Sequence, residues 1–312
     1  MSDAPRRFGV LGTGHWAATC HGAALAAHPD VELVGFAGRD PARAAEVAAR
    51  VGGRAFASPD ELIDAVDAVT LALPPHVQAP LAARAARAGR HVLLEKPLAL
   101  DLAAADDVVA AVREGAVAAV VHTTYLFHPE VTGWLEHLGA LAAEHGPWEG
   151  ALARWAGTID APGNPYGASA WRRESGGLWD TGPHALSVLG ALLPPVERVS
   201  AGRGVRDAVN VALEHAGGAG SALSLTLTAP AGAGGSFATV WGPGGRHDLP
   251  RFHGTVQEGF RRAVDRLRTS AATGEPDPAG AAAGREAVAV LAAVEAHLAR
   301  PPAERTTAVA RR

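Results

Sequence analysis

Three side chains in this sequence have the types and spacing for acid–base work. Lys96 ends the apolar run of His91–Leu94, directly after the carboxylate of Glu95 and before Pro97, while Asp180 and His184 lie four residues apart. A lysine fixed at a strand end and partly desolvated can hydrogen-bond an oxygen and protonate it. Four-residue spacing puts two side chains on one helix face, so Asp180 and His184 can point together. Taken alone, each feature has a plainer reading. Glu95 and Lys96 are equally an ion-paired strand end, and Asp180 with His184, without Lys96 and the glycine turn, reads rather as a helix cap beside a surface histidine. A metal centre is not expected, because no third ligand at characteristic spacing accompanies the pair.

The elements that must hold these groups follow from periodicity. Arg7–Leu11 reads as a strand and "GTGHWAATCHGAALAAH" as a helix after a tight turn. "VELVGFAG", "DAVTLAL", "RHVLLE" and "AVAAVVH" read as further strands. Helices over Pro41–Val51, "VQAPLAARAARAG" and Leu102–Arg113 separate them, with Asp40 and Asp101 as N-caps. Strand and helix in alternation imply a doubly wound parallel sheet, with ligands outside the carboxyl ends of its strands. The first turn carries Gly12-x-Gly14-x-x-Ala17. Gly12 allows the turn, Gly14 lets backbone approach a pyrophosphate, and the helix N-terminus receives the phosphates. The second strand ends Ala37-Gly38-Arg39 rather than in an acid, which favours the ribose 2'-phosphate of NADP over NAD, with NAD still possible.

Beyond about Thr123 the pattern changes. Helical segments over Pro129–Ala142 and Asp180–Leu193 precede the strand-like runs "VERVSAG", "AVNVALEHA", "SALSLTLTA" and "SFATVWG". Helices over Thr255–Ala272 and Ala279–Leu298 close the chain. Consecutive strands without intervening helices predict an open, mostly antiparallel sheet in an α+β domain. The expected division is 1–122 for the dinucleotide-binding domain and 123–312 for the substrate-binding and oligomerisation domain. With 312 residues, 48% of them hydrophobic, and a net charge of −4, the chain can bury two cores and lacks the basic surface of a nucleic-acid binder. No segment reaches the ~20 apolar residues of a membrane span. Cys20 is the only cysteine, and "MSDAPRRF" has no apolar leader core, so a cytoplasmic protein with a small-molecule substrate is expected.

Together, the Gly12-x-Gly14 turn, Leu73-Pro74-Pro75, Glu95-Lys96-Pro97 and "WRRESGGLWDTGPH" (Trp171–His184) resemble the family of glucose–fructose oxidoreductase and inositol dehydrogenase. The resemblance implies NAD(P)-dependent oxidoreduction of a secondary alcohol or ketone of a sugar, cyclitol or related metabolite. It implies Lys96, Asp180 and His184 as catalytic residues, with His184 exchanging the proton while Lys96 and Asp180 orient and polarise the hydroxyl. It implies cofactor contacts from Gly12, Thr13, Gly14, His15, Trp16, Gly38, Arg39, Leu73, Pro74, Glu95, Lys96 and Arg172. It also implies a homodimer or homotetramer packed through the open sheet. Imine reduction, or dinucleotide sensing without catalysis, are the alternatives. Gln78, Ser187 and Trp16 depart from the family pattern and suggest a less polar substrate pocket, which Tyr125, Trp155, Tyr166, Trp171 and Trp179 could line. His122 and His128 are expected to be structural.

Overall fold

The computed structural model of the chain describes residues 4–251 and 253–301. Those residues form two compact units, 4–129 with 253–288, and 130–251 with 289–301.

In the first unit, strands β1 (Arg7–Leu11), β2 (Glu32–Ala37), β3 (Arg54–Ala55), β4 (Ala68–Leu71), β5 (His91–Glu95) and β6 (Ala119–His122) form one sheet in the order β3-β2-β1-β4-β5-β6. Every pairing in it is parallel. A π-helical segment (Ala17–Gly22) leading into α1 (Ala23–Ala26), then α2 (Pro41–Val51), α3 (Pro59–Asp64), α4 (Pro75–Arg87) and α5 (Leu102–Glu114) connect the strands. Asp40 and Asp101 cap α2 and α5 as their positions predict, accepting from Ala42 and Arg43 and from Ala104 respectively. The strand order reverses between β1 and β4, and the carboxyl end of β1 is therefore where such a sheet opens a ligand crevice.

The second unit contains α6 (Pro129–His145), β7 (Gly150–Ala156), α7 (Ala170–Gly190), β8 (Val196–Arg203), β9 (Val209–His215), β10 (Gly220–Thr226), β11 (Gly235–Gly242) and β12 (Gly245–Asp248), with the sheet order β12-β11-β7-β10-β9-β8. Pairing is antiparallel except between β7 and β10. The sequence reading had no counterpart for β7 or β12. In "GALARWA" alanines dilute the alternation that would mark β7, although it lies in the middle of the sheet. "SALSLTLTA" does alternate, but its Leu223, Leu225 and Leu227 are buried within the unit. The large apolar residues exposed on this sheet are instead Leu152, Phe237 and Trp241.

Helices α8 (Val256–Thr273) and α9 (Ala281–Ala299) end the described chain. The 123–312 expectation put α8 in the second domain, yet it packs into the first unit. Its Phe260, Ala263, Val264 and Leu267, at i, i+3, i+4 and i+7, are all 0% exposed and share a core with Phe8, Leu93, Val120 and Phe127. Amphipathic spacing predicts that a helix will bury one face but not which sheet receives it. No helix among the described residues is long and apolar enough to cross a membrane.

Candidate active site

In the first unit the candidate residues gather at the carboxyl edge of the sheet. Gly12 has φ 133°, and a Cβ there would lie 2.6 Å from the Ala72 carbonyl oxygen, so both backbone angle and space demand glycine. Gly14 is exposed, with nothing within 4 Å of its Cβ position, leaving open space over the turn for an approaching group. A dinucleotide pyrophosphate fits that opening, which lies at the start of the following helical segment. At the end of β2, a Cβ on Gly38 would approach Thr13 Cγ2 to 2.8 Å, while Arg39 is exposed. Leu73 and Pro74 join β4 to α4, and His15 is exposed beside the glycine turn.

Glu95, the last residue of β5, gathers three donors on one oxygen. Its Oε1 accepts from Trp16 Nε1 at 2.8 Å and from His21 Nε2 and His122 Nδ1, both at 3.1 Å. His21 is fully buried, and its Nδ1 lies 3.1 Å from the Thr70 hydroxyl. Burial pushes His21 below its ordinary pKa, overriding the upward pull of Glu95. A neutral His21 that donates from Nε2 and accepts from Thr70 at Nδ1 satisfies both ring nitrogens. Burial alone would raise the Glu95 carboxyl, but hydrogen bonds from His122 and His21 outweigh it and hold the group below the usual carboxylate range. Full charge on His21 would contradict its own depression, so the N–H···O bonds, rather than an ion pair with His21, keep Glu95 anionic. Trp16 and His122, one expected at the cofactor and the other structural, are both donors to this carboxylate.

Gln78 explains how the strand end is held. Its Oε1 accepts from the Glu95 N–H at 2.9 Å, while its Nε2 donates to the carbonyls of Glu95 at 2.6 Å and Pro97 at 3.1 Å. Gln78 is 0% exposed. The departure from the family pattern therefore clamps the backbone on both sides of Lys96 instead of lining a pocket. Lys96 itself is half-buried at the tip of β5.

In the second unit α7 carries the remaining candidates. Asp180 is 9% exposed and accepts from Arg172 Nε at 3.2 Å; His184, one turn on, is half-buried. The Arg172 guanidinium lies 4.4 Å from the Tyr166 ring centroid and 4.6 Å from that of Trp171. Arg172, expected at the cofactor, is thus engaged with Asp180. Ser187 donates to the His184 carbonyl at 2.9 Å, and the buried Trp179 donates to Glu295 at 3.2 Å. Trp155, Trp171 and Trp179 are all buried. Among the described residues no group of His, Cys, Asp and Glu side chains is placed to hold a metal ion.

Sequence reasoning missed His21 and the role of Gln78. His21 lies seven residues after Gly14, within the helical pattern, and only its distant partner Glu95 distinguishes it.

Residues 6–123 match the GFO_IDH_MocA model, described as an oxidoreductase family with an NAD-binding Rossmann fold. The chain is 40% identical over 126 residues to the dTDP-3,4-didehydro-2,6-dideoxy-α-D-glucose 3-reductase of Streptomyces antibioticus, a match covering 40% of this chain and 38% of that enzyme. It is 36% identical over 125 residues to the UDP-N-acetylglucosamine 3-dehydrogenase of Acidithiobacillus ferrooxidans, covering 40% of this chain and 39% of that enzyme. The chain thus spans well under half the length of these two relatives. The crystal structure of GenD2 from gentamicin A biosynthesis, in complex with NAD, superposes with a TM-score of 0.81 at 23% identity, over 96% of this chain and 95% of that one. That likeness establishes a shared fold across both units. What the comparisons show is thus a match of residues 6–123 to the Gfo/Idh/MocA oxidoreductase model, with its NAD-binding Rossmann fold.

Proposed function

We propose that the chain is an NADP-preferring oxidoreductase that transfers a hydride between the nicotinamide and carbon 3 of a hexose, held as a nucleoside diphosphate sugar. The observation that carries this reading is that the Gly12–Gly14 turn and the Glu95–Lys96 step end strands at one edge of one parallel sheet, the edge where such sheets bind ligands. Position 3 and the nucleotide are supported by the two relatives, a dTDP-hexose 3-reductase and a UDP-hexosamine 3-dehydrogenase. NADP is supported by the exposed Arg39 and by Gly38, whose lack of side chain is enforced by Thr13.

Bound cofactor supplies the hydride acceptor or donor at its nicotinamide ring. Gly12, Thr13 and Gly14, with His15 and Trp16 beside them, would seat the phosphates. Arg39 would pair with the 2'-phosphate, and Leu73 and Pro74 would border the nicotinamide side. Lys96 donates a hydrogen bond to the substrate oxygen and stabilises the charge that develops there. His184 gives that oxygen a proton on reduction and takes it on oxidation, so hydride and proton balance. Asp180, fixed by Arg172, orients the hydroxyl. The chain works as a homodimer or homotetramer joined through the outer face of the second sheet, where Leu152, Phe237 and Trp241 are exposed.

The test has two arms. Titration with NADPH and NADH should show tighter NADPH binding, and Arg39→Ala should weaken NADPH about tenfold or more while leaving NADH unchanged. Turnover should appear with a dTDP- or UDP-linked hexose or its 3-keto form and vanish with the 3-deoxy sugar. Equal losses of both cofactors in Arg39→Ala, or turnover with the 3-deoxy sugar, would sink the respective arm.

A further inference from the structure

The helix that carries Asp180 and His184 is not continuous. Gly176, with φ 61° and ψ −163°, breaks α7, so a second helical half begins at Gly177. Counted from Gly177, Asp180 and His184 fall at i+3 and i+7, on one face of this second half. A fresh helix start leaves its first N–H groups without intrahelical acceptors. Asp207, in the turn between β8 and β9, takes the first of them, its Oδ2 accepting from the Gly177 N–H at 2.8 Å.

The same carboxylate is tied to the end of β10 and the residues after it. Its Oδ1 accepts from the Thr226 hydroxyl at 2.6 Å, the Thr228 hydroxyl at 2.5 Å and the Thr228 N–H at 3.2 Å, and its Oδ2 also accepts from the Leu227 N–H at 2.8 Å. The neighbouring Arg206, at φ 55°, donates from Nη1 to the Thr228 carbonyl at 2.8 Å, pinning the turn that presents Asp207. Gly177 lets the helix start lie directly on the strand: a Cβ there would be 2.5 Å from Thr226 Cα. Burial pushes the Asp207 carboxyl up, but the Thr226 and Thr228 hydroxyls and two backbone N–H groups outweigh it and hold the group below its ordinary value. It is an anion at a helix N-terminus, where negative charge is favoured.

We infer that Asp207 is a positioning residue: by gripping Gly177 and the Thr226–Thr228 segment together, it fixes the register of the half-helix that presents Asp180 and His184. The inference rests on the proposed proton-handling role of those two residues. It takes the break at Gly176 as a device that lets the second half be oriented by the sheet rather than by the Ala170–Glu174 turns before it. An ordinary cap would stabilise the helix without affecting turnover below the melting transition, and the test separates these two cases.

Hydrogen–deuterium exchange and steady-state kinetics are measured on the full chain, well below each variant's unfolding midpoint. Asp207→Ala should raise exchange in the 177–184 segment and lower kcat, each by about tenfold, the order of a lost cap, while Kd for NADPH stays within about twofold. Asp207→Asn, which can turn its carbonyl to Gly177 and Leu227 and its amide to the threonine hydroxyls, should recover most of both losses. In a His184→Ala background, Asp207→Ala should cost no more than about a further twofold in kcat, because the two act through one element. Unchanged exchange, or faster exchange with an unchanged kcat, overturns the inference, as does a full tenfold kcat loss in the His184→Ala background. If Asp207→Ala does not fold, Asp207→Asn is held to a smaller loss of the same kind, and wild-type values in both readouts overturn the inference. A wild-type enzyme that transfers no hydride to any sugar tested contradicts the functional reading instead, and exchange at 177–184 then decides whether Asp207 holds the helix start at all.

Discussion

A half-buried carboxylate at the tip of β5 organises the candidate residues of the first unit. Three donors converge on Glu95 Oε1, and Gln78 holds the backbone around it, so the side chain that follows, Lys96, leaves the strand from a fixed point. Replacing Lys96 with alanine should lower turnover by about 10² to 10⁴ with little change in cofactor affinity, since the ammonium acts where charge shifts in the transition state. Enzyme kinetics beside a cofactor titration would check this. Acid should weaken the cluster in two steps. His21 stays neutral in the fold, so stability falls as pH drops below about 6.5, where the unfolded chain takes up a proton that the fold refuses. Glu95 has a depressed pKa, so its contribution is complete above about pH 5 and is lost as pH falls through and below the ordinary carboxylate range. Thermal unfolding of Glu95→Gln should therefore show a deficit at pH 7 that narrows toward pH 3; a constant deficit would contradict the anionic assignment. The sequence made Glu95-Lys96-Pro97 legible as a strand end with chemistry. It could not reveal that Glu95 turns inward, because its partners lie 79, 74 and 27 residues away.

Most elements of the parallel sheet were legible, since strand, turn chemistry and capping agree locally there: Asp40 and Asp101 each cap the helix that their position announces. Where local signals are diluted, tertiary contacts decide. β7 reads as an alanine-rich stretch, and α7 was expected to begin at Asp180, whereas it spans Ala170–Gly190 with its break at Gly176. The paired glycines at the break are each required for a different reason. Gly176 has a backbone conformation that is essentially glycine-only. Gly177 meets backbone atoms of Thr226 that cannot yield as a side chain would. Gly177→Ala should cost about 1–3 kcal/mol of stability, as overpacking against a rigid neighbour does, with part of the loss appearing as reduced turnover. Denaturant titration alongside kinetics would measure both, and a neutral substitution would show that the contact relaxes freely. On the first sheet, Gly38→Asp should weaken both cofactors rather than switch preference to NAD, because Thr13 occupies the space the new side chain needs.

At the scale of the molecule, the two units are each assembled from discontinuous sequence. α8 returns to the first unit and buries Phe260 in its core, so Phe260→Ala should cost about 3–5 kcal/mol by thermal or chemical unfolding and should impair the cofactor-binding unit despite lying far along the chain. A self-associating outer sheet predicts that Leu152→Glu lowers the mass measured by light scattering; a wild-type monomer stable to concentration would contradict the homo-oligomer. The central claim is that this chain moves a hydride between a nicotinamide and a sugar carbon through Lys96 and His184. Its most direct test is isotope transfer: NADPH deuterated at the transferring nicotinamide carbon is mixed with a 3-keto nucleotide hexose and the product is read by nuclear magnetic resonance. The account predicts deuterium at carbon 3 with the wild-type chain, and transfer slowed by about 10² or more in Lys96→Ala and His184→Ala although both still bind NADPH. Deuterium transferred at wild-type rates by both variants, or none transferred by a wild-type chain that binds both ligands, would contradict it.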